Sequence, residues 1–499
     1  MSKYYIGIDL GTSSVKLLLM KVKDGEVSIE RTVSREYPLS FPHPGWSEQN
    51  PSDWLNETSE GMKELMKGLA PESVRALSFG GQMHGLVALD EHDEVIRPAI
   101  LWNDGRCQHE VEFLNGQELR QTVIDETGNI AFAGFTAPKL LWMREHEPEN
   151  FNRIRKICLP KDYLLLKFTG VHATDVSDAS GTLLFDVKNR CWSEKMLEIC
   201  GLKEEQMPAV FESSERVGNL TEEAAEMLGL TTDCIVAAGA GDNAAAAIGS
   251  GIVSDGDCNI SLGTSGTLFL ASDRFVNPDN HAIHSFAHAN GGYHLMGCML
   301  SAASCNKWWM DEILKDKDYG KAQENIQESH LGRNTVLYLP YLMGERSPHN
   351  DPAARAMFFG MSMDTTREDM TQAVLEGVAF GLRDSLEIAR CLGITPKKSG
   401  MVGGGAKSPL WRKIVANVFN MTIEVPETEE GPSFGACLLA ATADGTFKTT
   451  EEAAKAAVKI KLHEEPDEEL VTLYEGRYKL YKSLYPCVKT VYNDLQKGN

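Results

Sequence analysis

The chain has 499 residues, 42% hydrophobic and 24% charged, and its 49 basic and 71 acidic residues leave a net charge of −22. That length supports two or three domains with large buried cores. The acidity argues against nucleic acid or an anionic membrane as partner, and no apolar run approaches the roughly 20 residues of a membrane span.

The chain opens with strand-like runs at Tyr4–Asp9, Val15–Val22 and Val27–Tyr37. Between the first two lies Leu10-Gly11-Thr12-Ser13, and the same four residues recur at Leu262–Ser265, half a chain later and again between apolar runs. A Gly-Thr-Ser turn offers closely spaced N–H groups and two hydroxyls with no bulk in the way, which makes an anion-binding nest. Two copies, one per half, point to a cleft that grips a polyphosphate from both sides; two ordinary hairpin turns are the alternative. Asp9 precedes the first copy and Ser261 the second. A carboxylate beside phosphates makes sense with Mg²⁺ between them. No basic-then-apolar leader precedes Asp9, and the eleven cysteines are never spaced C-x-x-C. Both features fit reduced thiols in a cytoplasmic protein.

A Pro/Gly loop at 42–46 leads to a helical pattern over Ser52–Leu69, starting at Pro51 or Ser52. Strands at Val74–Phe79 and Gly85–Leu89 bracket Gly80-Gly81-Gln82-Met83-His84-Gly85. Gln82 and His84 between glycines suit a polyhydroxylated ligand, or a plain turn with a satisfied histidine. Trp102-Asn103-Asp104-Gly105-Arg106 adds an aromatic face and polar groups suited to a sugar, or an internally bridged turn.

Strand Ile235–Ala238 then meets Gly239-Ala240-Gly241-Asp242-Asn243-Ala244, a match to G-x-G-x-x-A. Asp242 argues against a dinucleotide there, because a carboxylate repels pyrophosphate at a helix start. It is either a helix cap or a general base at the mouth of a cleft. The divide between halves falls near Gly239–Gly251.

The second half repeats three strands, helix, strand more loosely, with strands over Ile260–Ala271 and Tyr293–Cys298 and a helix at Ala302–Leu314. His281, His284, His288 and His294 could suggest zinc, but Asn290-Gly291-Gly292 marks a hairpin, and on a strand His281 faces away from His284 and His288. Gly403-Gly404-Gly405 precedes a helix at Pro409–Phe419 and fails the P-loop pattern. Three glycines let a flat ring such as adenine lie against backbone. In the tail from Pro466, Tyr474, Tyr478, Tyr481 and Tyr485 recur at helical spacing as a packing stripe.

Together these motifs resemble the FGGY sugar kinases of the actin/Hsp70/hexokinase-like superfamily, from Ile6 to about Gly445. Both signature regions of that family have counterparts: Gly134-Phe135-Thr136-Ala137-Pro138-Lys139-Leu140-Leu141-Trp142, and Phe358-Phe359-Gly360-Met361 continuing through Asp369–Gly377. Within the group, Gly81–Gly85, Trp102–Arg106, Gly241–Asn243, Gly45–Gln49 and Leu159–Tyr163 are similar to bacterial members that act on D-xylulose. The resemblance implies an α/β fold of two ribonuclease-H-like domains flanking a deep cleft. Residues 1–242 would hold the sugar and 243–499 the ATP, with a terminal helix at about 466–499. It implies sugar contacts from Gln82, Met83, His84, Trp102, Asp104, Asp242 and Asn243. Asp242 would be the catalytic base and Asp9 the partner of Mg²⁺. Gly11, Thr12, Ser13, Gly263, Thr264, Ser265, Gly403, Gly404 and Gly405 would surround ATP.

The implied activity is an ATP-dependent pentulose kinase making D-xylulose 5-phosphate. Ribulose, another ketose or a polyol is the nearest alternative. A non-kinase ATP-driven protein of the same superfamily is the remoter one. Relatives are often dimers, so a homodimer stays open.

Overall fold

The computed structural model describes residues 2–277 and 282–497. Two seven-stranded sheets organise them, with a common central strand order. In the first, β1 (Lys3–Leu10), β2 (Ser14–Lys23) and β3 (Glu26–Glu36) form an antiparallel meander. The apolar residues Tyr5, Ile6, Ile8 and Leu10 of β1 are all buried, as a central strand covered on both faces requires. Helix α1 (Pro51–Leu65) carries the chain across to β4 (Val74–Gly81), which lies parallel to β1. Pro51 opens α1 at the position where a missing N–H costs nothing, and the Asn50 side chain accepts from the Ser52 amide. The helix ends before the expected Leu69 because Gly68 turns left-handed at φ 76°.

Helices α2 (Thr136–His146) and α3 (Pro160–Thr169) follow. Strands β5 (Arg216–Asn219) and β6 (Ile235–Ala237) then complete the order β5-β6-β4-β1-β2-β3, with the short pair Ala240–Gly241 extending along the end of β4. Helix α4 (Asp242–Gly249) leaves from that point.

The second sheet repeats the plan. Strands β7 (Cys258–Leu262) and β8 (Gly266–Ser272) form a hairpin, β9 (His284–Ala287) lies at the edge, and β10 (Tyr293–Met299) pairs antiparallel with both β8 and β9. The helix expected at Ala302–Leu314 is α-helical over Ala303–Trp308 and widens to a π-turn over Trp309–Leu314. After α5 (Arg367–Cys391), strand β11 (Lys398–Val402) returns parallel to β7. Helix α6 (Pro409–Phe419) then leads to β12 (Thr422–Pro426), parallel to β11. The chain ends with α7 (Gly431–Ala443), the edge strand β13 (Ile460–Glu464) and α8 (Glu468–Lys497).

Helix α7 belongs to the second half by sequence but packs on the first sheet. A Cβ on Gly7 of β1 would lie 1.9 Å from the Ser433 carbonyl oxygen. One on Gly435 would lie 1.9 Å from the Ala245 carbonyl oxygen, and one on Gly249 2.1 Å from that of Gly431. Glycine lets α7 touch both β1 and α4 backbone to backbone. On α8, the tyrosine stripe is buried and its hydroxyls are engaged: Tyr474 donates to Glu376, Tyr478 to Asp384 and Tyr485 to Asp351, while those of Tyr481 and Tyr341 bond to each other.

Candidate active site

Both Gly-Thr-Ser turns connect the first two strands of a sheet. In the first turn, the Gly11 amide donates to the Ser14 carbonyl at 3.0 Å. The Tyr37 hydroxyl donates to the Gly11 carbonyl, and Gln49 Nε2 donates to the Thr12 carbonyl at 2.6 Å. The Trp102 indole N–H donates to Thr12 Oγ1 at 2.9 Å, tying the Trp102 loop to the turn. In the second turn, the Thr264 carbonyl accepts from the Ala302 amide at 3.0 Å and from Ser304 Oγ at 2.7 Å. Carbonyls are thus held from outside.

Asp9 lies one residue before the first turn, and Asp242 begins α4. Burial raises the Asp9 carboxyl to about 7, helped by the carboxylates of Asp242 and Glu430 and opposed by Lys16. Asp242 is raised to about 6 by burial, against two hydrogen bonds that its Oδ1 accepts from Asn243: the backbone amide at 2.7 Å and Nδ2 at 2.9 Å. The two desolvated acids are near enough to interact. One or both must find a cation or a proton.

Following Met83 in the chain is His84, a non-glycine residue at φ 71°. That backbone is strained. It is held because the His84 carbonyl accepts from Thr136 Oγ1 at 3.0 Å and from Lys139 Nζ at 3.2 Å, both on α2. The imidazole Nδ1 meets the Gly181 carbonyl oxygen at 2.6 Å. A Cβ on Gly181 would strike the ring at 2.5 Å, so glycine is required there. Burial lowers the His84 pKa to about 3, keeping the ring neutral at working pH. Met83 packs on Gly241, where a Cβ would meet its Cγ at 2.8 Å, so the His84 wall touches the residue before Asp242.

Gln82 and Asp104 are turned inward. Gln82 Nε2 donates to Gln49 Oε1 at 3.1 Å, supporting the residue that holds the first turn. Asp104 Oδ1 accepts from the Arg106 amide at 2.9 Å and Nε at 2.8 Å; Oδ2 accepts from Arg106 Nη2 at 2.7 Å and the Ser47 amide at 2.5 Å. Both oxygens are engaged by protein, which shapes the loop after the partly exposed Trp102.

A buried ionic cluster supports the start of α4 from behind. Lys161 Nζ lies 2.7 Å from Asp162, 2.9 Å from Asp175 and 3.7 Å from Asp178, all sealed from water. Asp175 Oδ2 accepts from Ser177 Oγ at 2.5 Å, and Ser177 Oγ accepts from the Gly241 amide at 3.1 Å. The cluster therefore fixes the backbone one residue before Asp242. Lys161 and Asp162 stand out in sequence only as part of Leu159–Tyr163. Asp175, Asp178 and Ser177 carry no local signal.

On the second half, Gly403 at φ 87° and Gly405 close on the end of β7, where a Cβ would meet Leu262 at 2.7 and 2.6 Å. A cavity of about 730 Å³ opens there, lined by Thr264, Ser304, Tyr319, Gly404, Gly405 and Trp411 among others. Glycine backbone, a hydroxyl-bearing turn and aromatic rings suit a nucleotide. Tyr319 and Trp411 were not marked by any sequence motif. His284, His288 and His294 are buried and pushed toward the neutral form by burial; His281 lies outside the described residues.

Comparison with known proteins follows the same division. The sequence model for the "FGGY family of carbohydrate kinases, N-terminal domain" matches residues 4–249, and that for the C-terminal domain matches 258–443. The chain is 42% identical over 483 residues to the xylulose kinase of Escherichia coli (strain K12), covering 96% of this chain and 98% of the relative. Among solved structures, a xyloylose kinase from Brucella ovis matches with a TM-score of 0.92 at 39% identity, covering 98% and 100% of the two chains. A gluconate kinase from Lactobacillus acidophilus matches with a TM-score of 0.93 at 26% identity, covering 99% and 100%.

Proposed function

The chain belongs to the FGGY family of carbohydrate kinases, and on that premise we propose that it transfers the γ-phosphoryl group of ATP to D-xylulose, giving D-xylulose 5-phosphate and ADP. Asp242 is the general base. The observation that carries this is a carboxylate held at about 6 at the start of α4, beside the Met83–His84 wall and within electrostatic reach of Asp9 and the first phosphate turn. A base works best when its pKa lies near the operating pH.

The sugar binds against Met83, His84, Trp102 and Asn243, while Gln82 and Asp104 hold those walls in place. Asp242 accepts the proton of the terminal hydroxyl as that oxygen bonds to the γ-phosphorus and the bond to the ADP oxygen breaks. The neutral His84 supplies a hydrogen bond without adding charge. Amides and hydroxyls of Gly11, Thr12 and Ser13 on one side, and Gly263, Thr264 and Ser265 on the other, receive the phosphate oxygens. The nucleotide lies in the cavity beside Gly403, Gly404 and Gly405. Phosphoryl transfer asks mainly for such positioning and charge compensation. The assignment of residues 1–242 to the sugar and 243–499 to the nucleotide, with closure of the cleft excluding water, belongs to the same proposal.

The donor set also fits Mg²⁺. Asp9 is a hard oxygen ligand, desolvated and repelled by Asp242, and the lysine acting on it, Lys16, is already paired with Glu430 at 2.9 Å. Asp9 would hold the ion; bound with the nucleotide, it supplies charge neutralisation at the phosphate oxygens.

A coupled assay of ADP release across pentuloses, hexuloses, polyols and aldonates tests the proposal. D-xylulose should give the highest kcat/KM, with sugar phosphate formed in step with ADP. Preference for ribulose, or for gluconate, would move the assignment to that substrate. Sugar-independent ATP hydrolysis with no sugar phosphate would overturn it.

A further inference from the structure

The loop from Tyr341 to Asp351, in the second half, turns toward the sugar wall of the first half. Its backbone is fixed: the Ser347 amide donates to the Cys298 carbonyl at 2.9 Å, and Glu345 and Asp351 exchange backbone hydrogen bonds of 2.9 and 2.8 Å. From it Arg346 reaches across the halves. Its guanidinium carbon lies 4.5 Å from the ring centre of Phe132 and 5.8 Å from that of Phe135. The Phe135 ring lies 4.7 Å from the His84 imidazole.

Arg346 has no carboxylate partner among the described residues. The adjacent Glu345 directs Oε1 to backbone amides instead, those of Arg346 at 2.7 Å and Leu300 at 3.1 Å. Arg346 Nε is sealed from solvent and has no acceptor. Beside it, on β9, His284 Nε2 is likewise buried and unpartnered, with its ring 5.0 Å from that of Phe132. A guanidinium with no carboxylate, whose side-chain partner is the Cys298 thiol and whose Nε has no acceptor, is costly inside a protein, and so is an orphaned ring nitrogen. Such groups concentrate where a ligand completes them. Arg346 shares the Phe132 and Phe135 rings with His84 and His284 and acts on the charge state of both, so it stands on the His84 side of the proposed sugar site.

We propose that Arg346, with His284 beside it, is a substrate-binding residue that donates to sugar oxygens at the end remote from the phosphorylated hydroxyl. The inference rests on the ketose kinase reading above. A guanidinium is donor only, so the atoms it takes are carbonyl, hydroxyl or carboxylate oxygens. Because His84 comes from the first half and Arg346 from the second, the bound sugar bridges both.

The test compares native protein, Arg346→Met and Arg346→Lys with D-xylulose and ATP. Loss of a hydrogen bond from a charged group corresponds to about 10- to 100-fold. Arg346→Met should raise the KM for D-xylulose by that factor, leaving the KM for ATP within about twofold. Arg346→Lys keeps the charge but not the planar fork, and should recover part of the sugar affinity. An unchanged KM for D-xylulose, or equal losses for sugar and ATP in a variant with native thermal unfolding, would overturn the proposal. If Arg346→Met does not fold, Arg346→Lys carries the same comparison alone. Native protein that phosphorylates no ketose overturns the parent reading instead, and calorimetric D-xylulose binding to the same three proteins then decides the role of Arg346.

Discussion

At the scale of single residues, burial of Asp242 ties rate to stability. Its carboxyl sits at about 6 in the folded protein, above the roughly 3.9 of an unfolded chain. The folded form therefore holds the proton more tightly. This group's contribution to stability is fully present below about pH 4 and is lost as pH rises through about 6. Catalysis needs the opposite state, since a base must be unprotonated. Two outcomes are expected. The kcat should fall about tenfold per pH unit below about pH 6 and be level above it, which a pH–rate profile at saturating substrates checks. Asp242→Asn should be more stable than the native protein at pH 8 by on the order of 1–3 kcal/mol, seen as a higher unfolding temperature, because the ionisation penalty is gone. Asp9, raised to about 7, is the complementary case. Asp9→Asn should lower turnover and flatten the Mg²⁺ dependence while D-xylulose binding, read by calorimetry, is kept. An unchanged rate and Mg²⁺ response would leave Asp9 as a structural part of the hairpin.

Among the elements, the crossing of α4 and α7 sets where Asp242 stands. Gly435→Ala places a methyl against the Ala245 carbonyl, which a 1.9 Å approach cannot admit. The helices must part, at a cost of about 1–3 kcal/mol, and the start of α4 moves with them. The expected result is a lower Tm and a kcat reduced more than the KM for ATP is raised. Gly476→Ala on α8, where the added Cβ meets nothing within 4 Å, should be neutral or slightly stabilising and serves as the control. Strands, turns and caps were legible locally. The β9–β10 hairpin is announced by Asn290-Gly291-Gly292, and the His288 amide donates to the Gly292 carbonyl at 2.9 Å. Helix α7 was not legible. It is small and apolar nearly all round, so no stripe marks a face, and its partners β1 and α4 are far away in sequence.

For the whole molecule, the duplication was readable because a Gly-Thr-Ser turn between two apolar strands recurs half a chain apart, and around those turns β2-β1-β4-β6 and β8-β7-β11-β12 repeat one order. The two turns proposed to receive the phosphates were legible for the same reason. His84, Met83 and Asp242 stood out because glycines surround them. The Lys161 cluster and Arg346 did not, because charged residues in a sequence look like surface until folding buries them. Asp104 shows the converse: a polar residue in a site-like motif whose two oxygens are both engaged by protein. The central claim is that Asp242 is the base of a D-xylulose kinase, and it meets its most direct test in the turnover of Asp242→Asn at saturating D-xylulose and ATP, with circular dichroism and nucleotide binding as controls. The shape and the capping capacity survive that substitution, since asparagine caps as well as aspartate. The expected result is a folded, ATP-binding protein whose sugar phosphate formation is down by about 10²–10⁴. A folded variant that keeps more than about a tenth of native turnover, well outside that range, would contradict the assignment and leave Asp242 as a first-turn residue of α4 that only accepts from Asn243.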